Sequence, residues 1–267
     1  MKRVPFVFCE SVIACLEDPY SVKQPLSRSL WQTAITREVN SRIFIKVYIG
    51  FKDENWSFQI KNRQKNLRLR LLSFYDIPRT KQTSFEEILR ILTFTVPCVS
   101  VTRLLLKDVD KYPPVDLRQL LSLYRNLPIC RLSTRGNIKP VDSFMRNLLK
   151  SNMLHELEFY DAQVSETFQA QLEEFALSKP FQFIIHKPAD LKFSKSFFEK
   201  LFAKPLCGFQ ECSFMSHFDF SLADLKDFRP ELQINKSTAN VHWKREDGVV
   251  VEAKTYCYEM IELTFTR

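Results

Sequence analysis

Five short runs with strand-like content recur along the middle of the chain: VTRLLLKDV, ICRLSTRGN, LHELEFYDA, FQFIIHKPA and LCGFQECSF. Their central apolar residues are Leu104, Leu132, Leu157, Ile184 and Phe209, at intervals of 28, 25, 27 and 25 residues. Apolar residues at helical spacing follow four of the runs. They are Leu117, Leu120, Leu121 and Tyr124; Phe144, Met145, Leu148 and Leu149; Phe168, Leu172 and Phe175; and Phe197, Phe198, Leu201 and Phe202. This period constrains the fold more than any other feature. One strand–helix unit cannot bury its apolar face alone, whereas stacked copies share a continuous core.

The period lies in the range of leucine-rich repeats. LHELEF follows the L-x-x-L-x-L form as Leu154, Leu157 and Phe159, and VTRLLL follows it with Val101, Leu104 and Leu106. The other runs follow it less well. The expected fold class is therefore α/β, an irregular leucine-rich-repeat-like solenoid of about five strand–helix units. An ordinary α/β domain with a parallel sheet alternates in the same way and stands as the alternative. After Phe220 the pattern stops. The segment VHWKREDGVVVEAKTYCYEMIELTF predicts a hairpin at Asp247-Gly248 and one further strand, a C-terminal β-hairpin cap. Upstream, RIFIKVYIGF, WSFQI and NLRLRLLSF predict a small antiparallel β unit with a turn at KDEN. Ser84 and Glu87 form a capping box before the apolar run from Ile88. The expected division is 1–41 helical, 42–82 a basic β unit, 83–230 the repeat array and 231–267 the β cap.

Only 4 glycines occur, and Gly50, Gly136, Gly208 and Gly248 are isolated. Phosphate-cradling and dinucleotide-binding loops need clustered glycines, so these classes are excluded. No Gly-x-Ser-x-Gly elbow and no HExxH is present. His155, His186, His217 and His242 are spread along the chain. No catalytic residue, cofactor or metal is expected. Seven scattered cysteines without a CxxC pair read as free thiols of a reducing, intracellular compartment. Cys207 and Cys212 with His217 nearby read as core residues rather than metal ligands. Lys2 and Arg3 before an apolar run imitate a secretion signal, but Glu10 interrupts the run. Neither secretion nor membrane insertion is expected.

The net charge of +8 is unevenly placed. Residues 42–81 hold 10 basic and 3 acidic groups. Lys61, Arg63, Lys65, Arg68 and Arg70, beside Trp56 and Phe58, would suit contact with phosphate. Such runs are more often a solvated strand face, and nucleic acid is the weakest of three readings of function.

The N-terminus supplies the second reading surface. Val4-Pro5 opens an apolar helical stripe with Phe6, Phe8 and Leu16, Pro5 suiting a first helical turn. A second helix is expected from about Ser27 to Val39, with Leu30, Trp31, Ala34 and Ile35 inward. Together with the repeats behind it, this layout resembles the divergent nematode families of F-box-like proteins. Those families open with a Leu-Pro or Val-Pro helix, carry a Trp about two dozen residues on, and continue into irregular leucine-rich repeats. The resemblance implies N-terminal F-box-like helices and a Skp-family adaptor as partner, bound through Val4, Pro5, Phe6, Phe8, Leu16, Leu30 and Trp31. It implies a substrate receptor of a cullin–RING ubiquitin ligase, with no chemistry of its own. The same residues would equally pack on the β unit behind them.

A third surface follows from the strand pattern. Residues between core positions would line one face of the sheet: Arg103, Lys107, Arg131, Arg135, Glu156, Glu158, Tyr160 and Lys187. A mixed-charge face with a Tyr suits recognition of a target protein. An interaction protein without a ligase link is the alternative.

Overall fold

The computed structural model describes residues 33–36, 44–62, 68–74, 81–95, 102–125, 127–163, 165–187, 192–206, 211–237, 239–256 and 260–267. They fall into two compact units, Met1–Leu104 with Gln119–Ile129, and Leu105–Arg118 with Cys130–Arg267. The chain is mixed α/β, with a nine-stranded mixed sheet and a small, mainly antiparallel one.

The small sheet contains β1 (Phe44–Lys52), β2 (Asn55–Asn62), β3 (Arg68–Phe74) and β4 (Lys81–Thr83), in the order β3-β1-β2-β4. The KDEN turn closes β1 on β2, with Asp53 and Glu54 at φ of 49° and 61°. Two positive φ values give the turn whose twist matches that of the strands. Asn55 Nδ2 donates to Asp53 O at 2.7 Å. β2 also pairs antiparallel with β4. Both edges of β2 are thereby used, and β3 instead runs parallel to β1, with Val47 opposite Leu72. Here the register departs from the all-antiparallel expectation. In the basic tract, Lys61 stands opposite Lys46 and Arg68 opposite Phe44; Arg63 and Lys65 lie outside the described residues.

Helix α1 (Phe85–Thr95) follows β4. Ser84 Oγ accepts from the Glu87 N–H at 3.2 Å, while the Glu87 carboxylate takes Arg90 at 2.8 and 3.0 Å. The Ser84 half of the expected capping box is therefore present, and Glu87 also forms an i,i+3 ion pair. Ile88 and Leu92 are fully buried, and Trp56 stacks between Phe51 and Phe85, each at 5.0 Å. Residues 33–36 are helical with Ala34 and Ile35 buried, as the amphipathic spacing requires. Val4, Pro5, Phe6, Phe8, Leu16, Leu30 and Trp31 lie outside the described residues.

The large sheet has the order β10-β11-β12-β13-β9-β8-β7-β6-β5. Its first strands are β5 (Thr102–Lys107), β6 (Ile129–Asn137), β7 (Glu156–Gln163), β8 (Phe183–His186) and β9 (Glu211–Ser216). Helices α2 (Pro114–Tyr124), α3 (Asp142–Leu149), α4 (Glu166–Ser178) and α5 (Lys195–Ala203) alternate with them. Every helical residue singled out by spacing in these four helices is buried. β6 through β9 lie side by side in chain order and run parallel. Leu132 stands opposite Leu157, Leu157 opposite Ile184, and Ile184 opposite Phe214. The last member of the ladder corrects the expectation of Phe209, which lies outside the described residues. Cys212, Phe214 and Ser216 alternate inward, and this period sets the strand five residues later.

β10 (Gln233–Lys236), β11 (Asn240–Lys244), β12 (Val250–Thr255) and β13 (Ile261–Thr266) continue the same sheet, and β13 pairs antiparallel with β9. The hairpin turns at Gly248, whose φ of 84° favours glycine. The core is dense in aromatic rings. Phe159 meets Phe168 at 5.2 Å, Phe197 meets Phe214 at 5.3 Å, and Phe202 meets Trp243 at 5.7 Å.

Cations tie the ends of the helices, two of them through backbone carbonyls that lack intrahelical partners and one through a side-chain amide. Lys179 Nζ reaches Asn152 Oδ1 at 2.6 Å, and Lys204 Nζ reaches Ala176 O and Lys179 O at 2.5 Å. Arg245 Nη1 donates to Phe202 O and Lys204 O at 2.6 and 2.7 Å. Each donor lies 25 to 43 residues further along the chain than the group it ties. Among the described residues no helix is long and apolar enough to cross a membrane.

Candidate functional site

Side chains on β6 alternate between two environments. Cys130, Leu132 and Thr134 are buried among the helices, while Arg131, Ser133 and Arg135 point to the opposite, open face. The parallel register carries the alternation to β7. Arg131 stands opposite Glu156, Ser133 opposite Glu158, and Arg135 opposite Tyr160. Lys187 follows β8, and its N–H bonds Phe159 O, which sets it beside Tyr160. Six of the eight residues expected on one face thus share it. Lys107 ends β5, and Arg103 lies within that strand in the first unit.

The face is layered. In its inner rows Arg131 is enclosed by acids. Its Nη1 lies 3.2 Å from Glu156 Oε2 and its Nη2 lies 2.5 Å from Glu158 Oε1. The Ser133 hydroxyl donates to Glu158 Oε2. Glu156 and Glu158 are only 5% and 8% exposed, so both carboxylates face Arg131 rather than solvent. Sequence alternation places these glutamates on the correct face but does not reveal their burial.

The outer row differs. Arg135, Tyr160 and Lys187 occupy neighbouring strands at the C-terminal ends of β6, β7 and β8. The Lys187 ammonium sits 4.9 Å from the centre of the Tyr160 ring. Burial, followed by the nearby Glu158 charge, pushes the Tyr160 phenol above its ordinary range. Arg135 approaches Asp161 at 3.8 Å, with side chains 60% and 79% exposed. Asp161 has a φ of 47° and forms the bulge after Tyr160, so that Gly136 faces Ala162. Across the sheet the open face continues with His242 and Glu252 at 3.5 Å and Lys254 and Glu262 at 3.0 Å.

One polar pair was not legible in the sequence. His186 Nδ1 and Ser216 Oγ are 3.1 Å apart, on adjacent strands 30 residues apart in the chain. A hydroxyl beside an imidazole is the geometry of an activated nucleophile. Both residues are 0% exposed, and the ring is flanked by Phe159 at 5.9 Å and Phe193 at 5.3 Å. Sealed from solvent, the pair joins β8 to β9 and meets no substrate in this arrangement.

The cleft lined by Phe181, Leu201, Cys212 and Phe265 offers about 20 Å³, the room of a single water. Cys130 and Cys212 are buried, and burial pushes the Cys212 thiol up to about 11. A groove of about 490 Å³ between α3 and α4 is lined by Arg146, Lys150, Glu174 and Lys179 over Leu149 and Phe175. Among the described residues no group of three or more His, Cys, Asp or Glu side chains is placed to hold a metal ion. The arrangement on the open face is suited to binding, with charges fixed in place and an aromatic ring presented between cations. No protein-family model, curated protein or solved structure matches the chain.

Proposed function

We propose that this chain is a non-catalytic protein-recognition module, and that its parallel strands and helices form an irregular leucine-rich-repeat-like solenoid. The open face of β6, β7 and β8 docks a target protein. The observation that carries this reading is the shared row of Arg135, Tyr160 and Lys187, held on a rigid sheet beside the Arg131, Glu156 and Glu158 cluster. Rigid strands present side chains at a fixed spacing and lose little entropy on binding. Aromatic and arginine side chains are the residues that most often anchor interfaces. The solenoid reading is supported by neighbour-to-neighbour ties at repeat spacing. Lys179 reaches back 27 residues to Asn152, and Lys204 reaches back 25 to Lys179.

In the fuller form of the proposal, the F-box-like N-terminus binds a Skp-family adaptor and links the target to a cullin–RING ubiquitin ligase. The chain then acts by proximity, raising the effective concentration of a target lysine near the conjugating enzyme. The test is co-purification with the adaptor, comparing the wild type with a Pro5→Ala/Trp31→Ala variant of unchanged circular dichroism. Stoichiometric binding lost in the variant supports the ligase link. A folded wild type that does not bind the adaptor refutes that link and leaves the open face as the surface of a stand-alone interaction protein.

A further inference from the structure

The helix layer carries a surface of its own, across the sheet from the open face. The groove of about 490 Å³ between α3 and α4 has an apolar floor of Leu149 and Phe175. Its walls carry Arg146, Lys150 and Lys179 against a single acid, Glu174. Asp142 stands 3.9 Å from Arg146, one turn back on α3. With Asp142 counted, three cations face two acids and the balance stays positive. Lys179 Nζ is held at 2.6 Å by the Asn152 amide, which is neutral and leaves its charge uncompensated. The carbonyls that end α4, Ala176 O and Lys179 O, are taken by Lys204, so the groove cations are not consumed there. Gln171, also in the lining, has a buried Oε1 with no hydrogen-bond partner among the described residues. Buried acceptors are nearly always paired, so one left open in a groove wall favours a donor from outside the chain.

We propose that this groove seats an acidic amphipathic helix of a partner protein, with its apolar ridge on Leu149 and Phe175 and its carboxylates on Arg146, Lys150 and Lys179. The site is separate from the open face and does not depend on it. Shape favours a helix. Two neighbouring helices leave a furrow into which the side-chain ridge of a third packs, at about 8–10 Å between axes. Helices α3 and α4 have 8 and 13 residues, hence lengths of about 12 and 20 Å, and about three turns of a partner helix cover the furrow. Charge favours an acid. A basic segment meets three cations, and a wholly apolar one strips water from them without compensation. Arg146 offers a carboxylate a forked donor, and the two lysines offer point charges.

The experiment uses the full chain and a fluorescein-labelled, end-capped peptide of alanine, leucine and glutamate. Its leucines stand at i, i+3, i+4 and i+7 with glutamates beside them. Binding is read by fluorescence anisotropy. Charge reversal at Arg146→Glu/Lys150→Glu, both exposed on α3, is compared with Lys195→Glu/Lys200→Glu, both exposed on α5. The inference expects at least about a tenfold loss of affinity in the first variant and less than about twofold in the second. Ser178→Trp fills the groove from an exposed position without changing its charge, and the same loss is expected. Arg146→Lys/Lys150→Arg keeps the charge and retains binding, which separates recognition from a folding defect. Wild-type affinity in Ser178→Trp overturns the inference, because the peptide then sits elsewhere. Equal losses from reversal on α3 and on α5 overturn it in favour of a diffuse field. Equal binding of a peptide with the same residues in scrambled order overturns the helical ridge, and equal competition by a single-stranded oligonucleotide of the same charge overturns the protein partner. A wild type that does not bind the peptide overturns the site outright, whatever the open face does.

Discussion

Arg131→Met tests how the open face is held together. Methionine keeps much of the aliphatic packing of the arginine stem but removes the cation shared by Glu156 and Glu158. Each hydrogen bond between charged groups contributes about 1.5–3 kcal/mol. Removing one side of a buried ion pair costs about 3–5 kcal/mol, because the remaining charge stays desolvated. The glutamate side chains are 7% and 11% exposed, so a small rotation lets water recover part of the loss. The expected destabilisation is about 3 kcal/mol. It is measured from urea unfolding followed by far-ultraviolet circular dichroism. In a double-mutant cycle, Glu158→Gln costs about 1–2 kcal/mol less in the Arg131→Met background than in the wild type, since the orphaned charge is then removed. Arg135→Met is the internal control. Its pair with Asp161 is long and exposed, and the expected change is within about 0.5 kcal/mol. Equal effects of Arg131→Met and Arg135→Met, or strict additivity with Glu158→Gln, refute the reasoning that buried acids depend on one arginine.

Three further outcomes follow from the geometry. Gly136→Ala places a side chain at a φ of 77°, with its Cβ in collision with Asp108 Oδ1. It loses about 1–2 kcal/mol from backbone strain, and adding Asp108→Ala recovers only the clash, as thermal melts of the single and double variants show. Arg245→Ala leaves Phe202 O and Lys204 O without their donor at the end of α5 and costs about 2–4 kcal/mol in urea unfolding; a loss below that of Asp247→Ala contradicts the capping role. Alkaline pH destabilises the fold through two groups whose protons burial retains, Cys212, raised to about 11, and Tyr124, raised well above its ordinary range. The unfolded chain releases these protons first, so stability falls as pH rises from about 9 toward 11, and Cys212→Ala makes that fall shallower. A urea midpoint equally steep in pH for the variant and the wild type disproves the contribution of Cys212.

Much of the architecture was legible in the residues because burial imprints a period. The helix faces at Phe144–Leu149 and Phe197–Phe202, the strand ICRLSTRGN and the turns at KDEN and Asp247-Gly248 are local patterns, and the structure carries them at those positions. Where apolar residues fall outside the strand period, pattern misleads, as when LCGFQ drew the strand centre to Phe209 instead of Phe214. The parallel placement of β3 was hidden because β4, a three-residue strand, takes the free edge of β2. For the candidate site, alternation assigned Arg131, Arg135, Glu156, Glu158 and Tyr160 to one face. It could not rank them, since rank depends on which side chains meet across strands 24 to 30 residues apart.

The sequence by itself determined the alternation of strand and helix, the residues that turn inward, the lack of a phosphate-binding glycine loop and the placement of the charge excess near residues 42–81. These properties depend on neighbours within a few positions, where backbone geometry alone sets the period. Only the tertiary structure decided that Arg131 is consumed by two buried glutamates while Arg135 and Lys187 flank Tyr160, and that His186 meets Ser216 in a sealed core. Such pairings arise from strand register across long chain separations. A shift of one residue would send every one of these side chains to the other face.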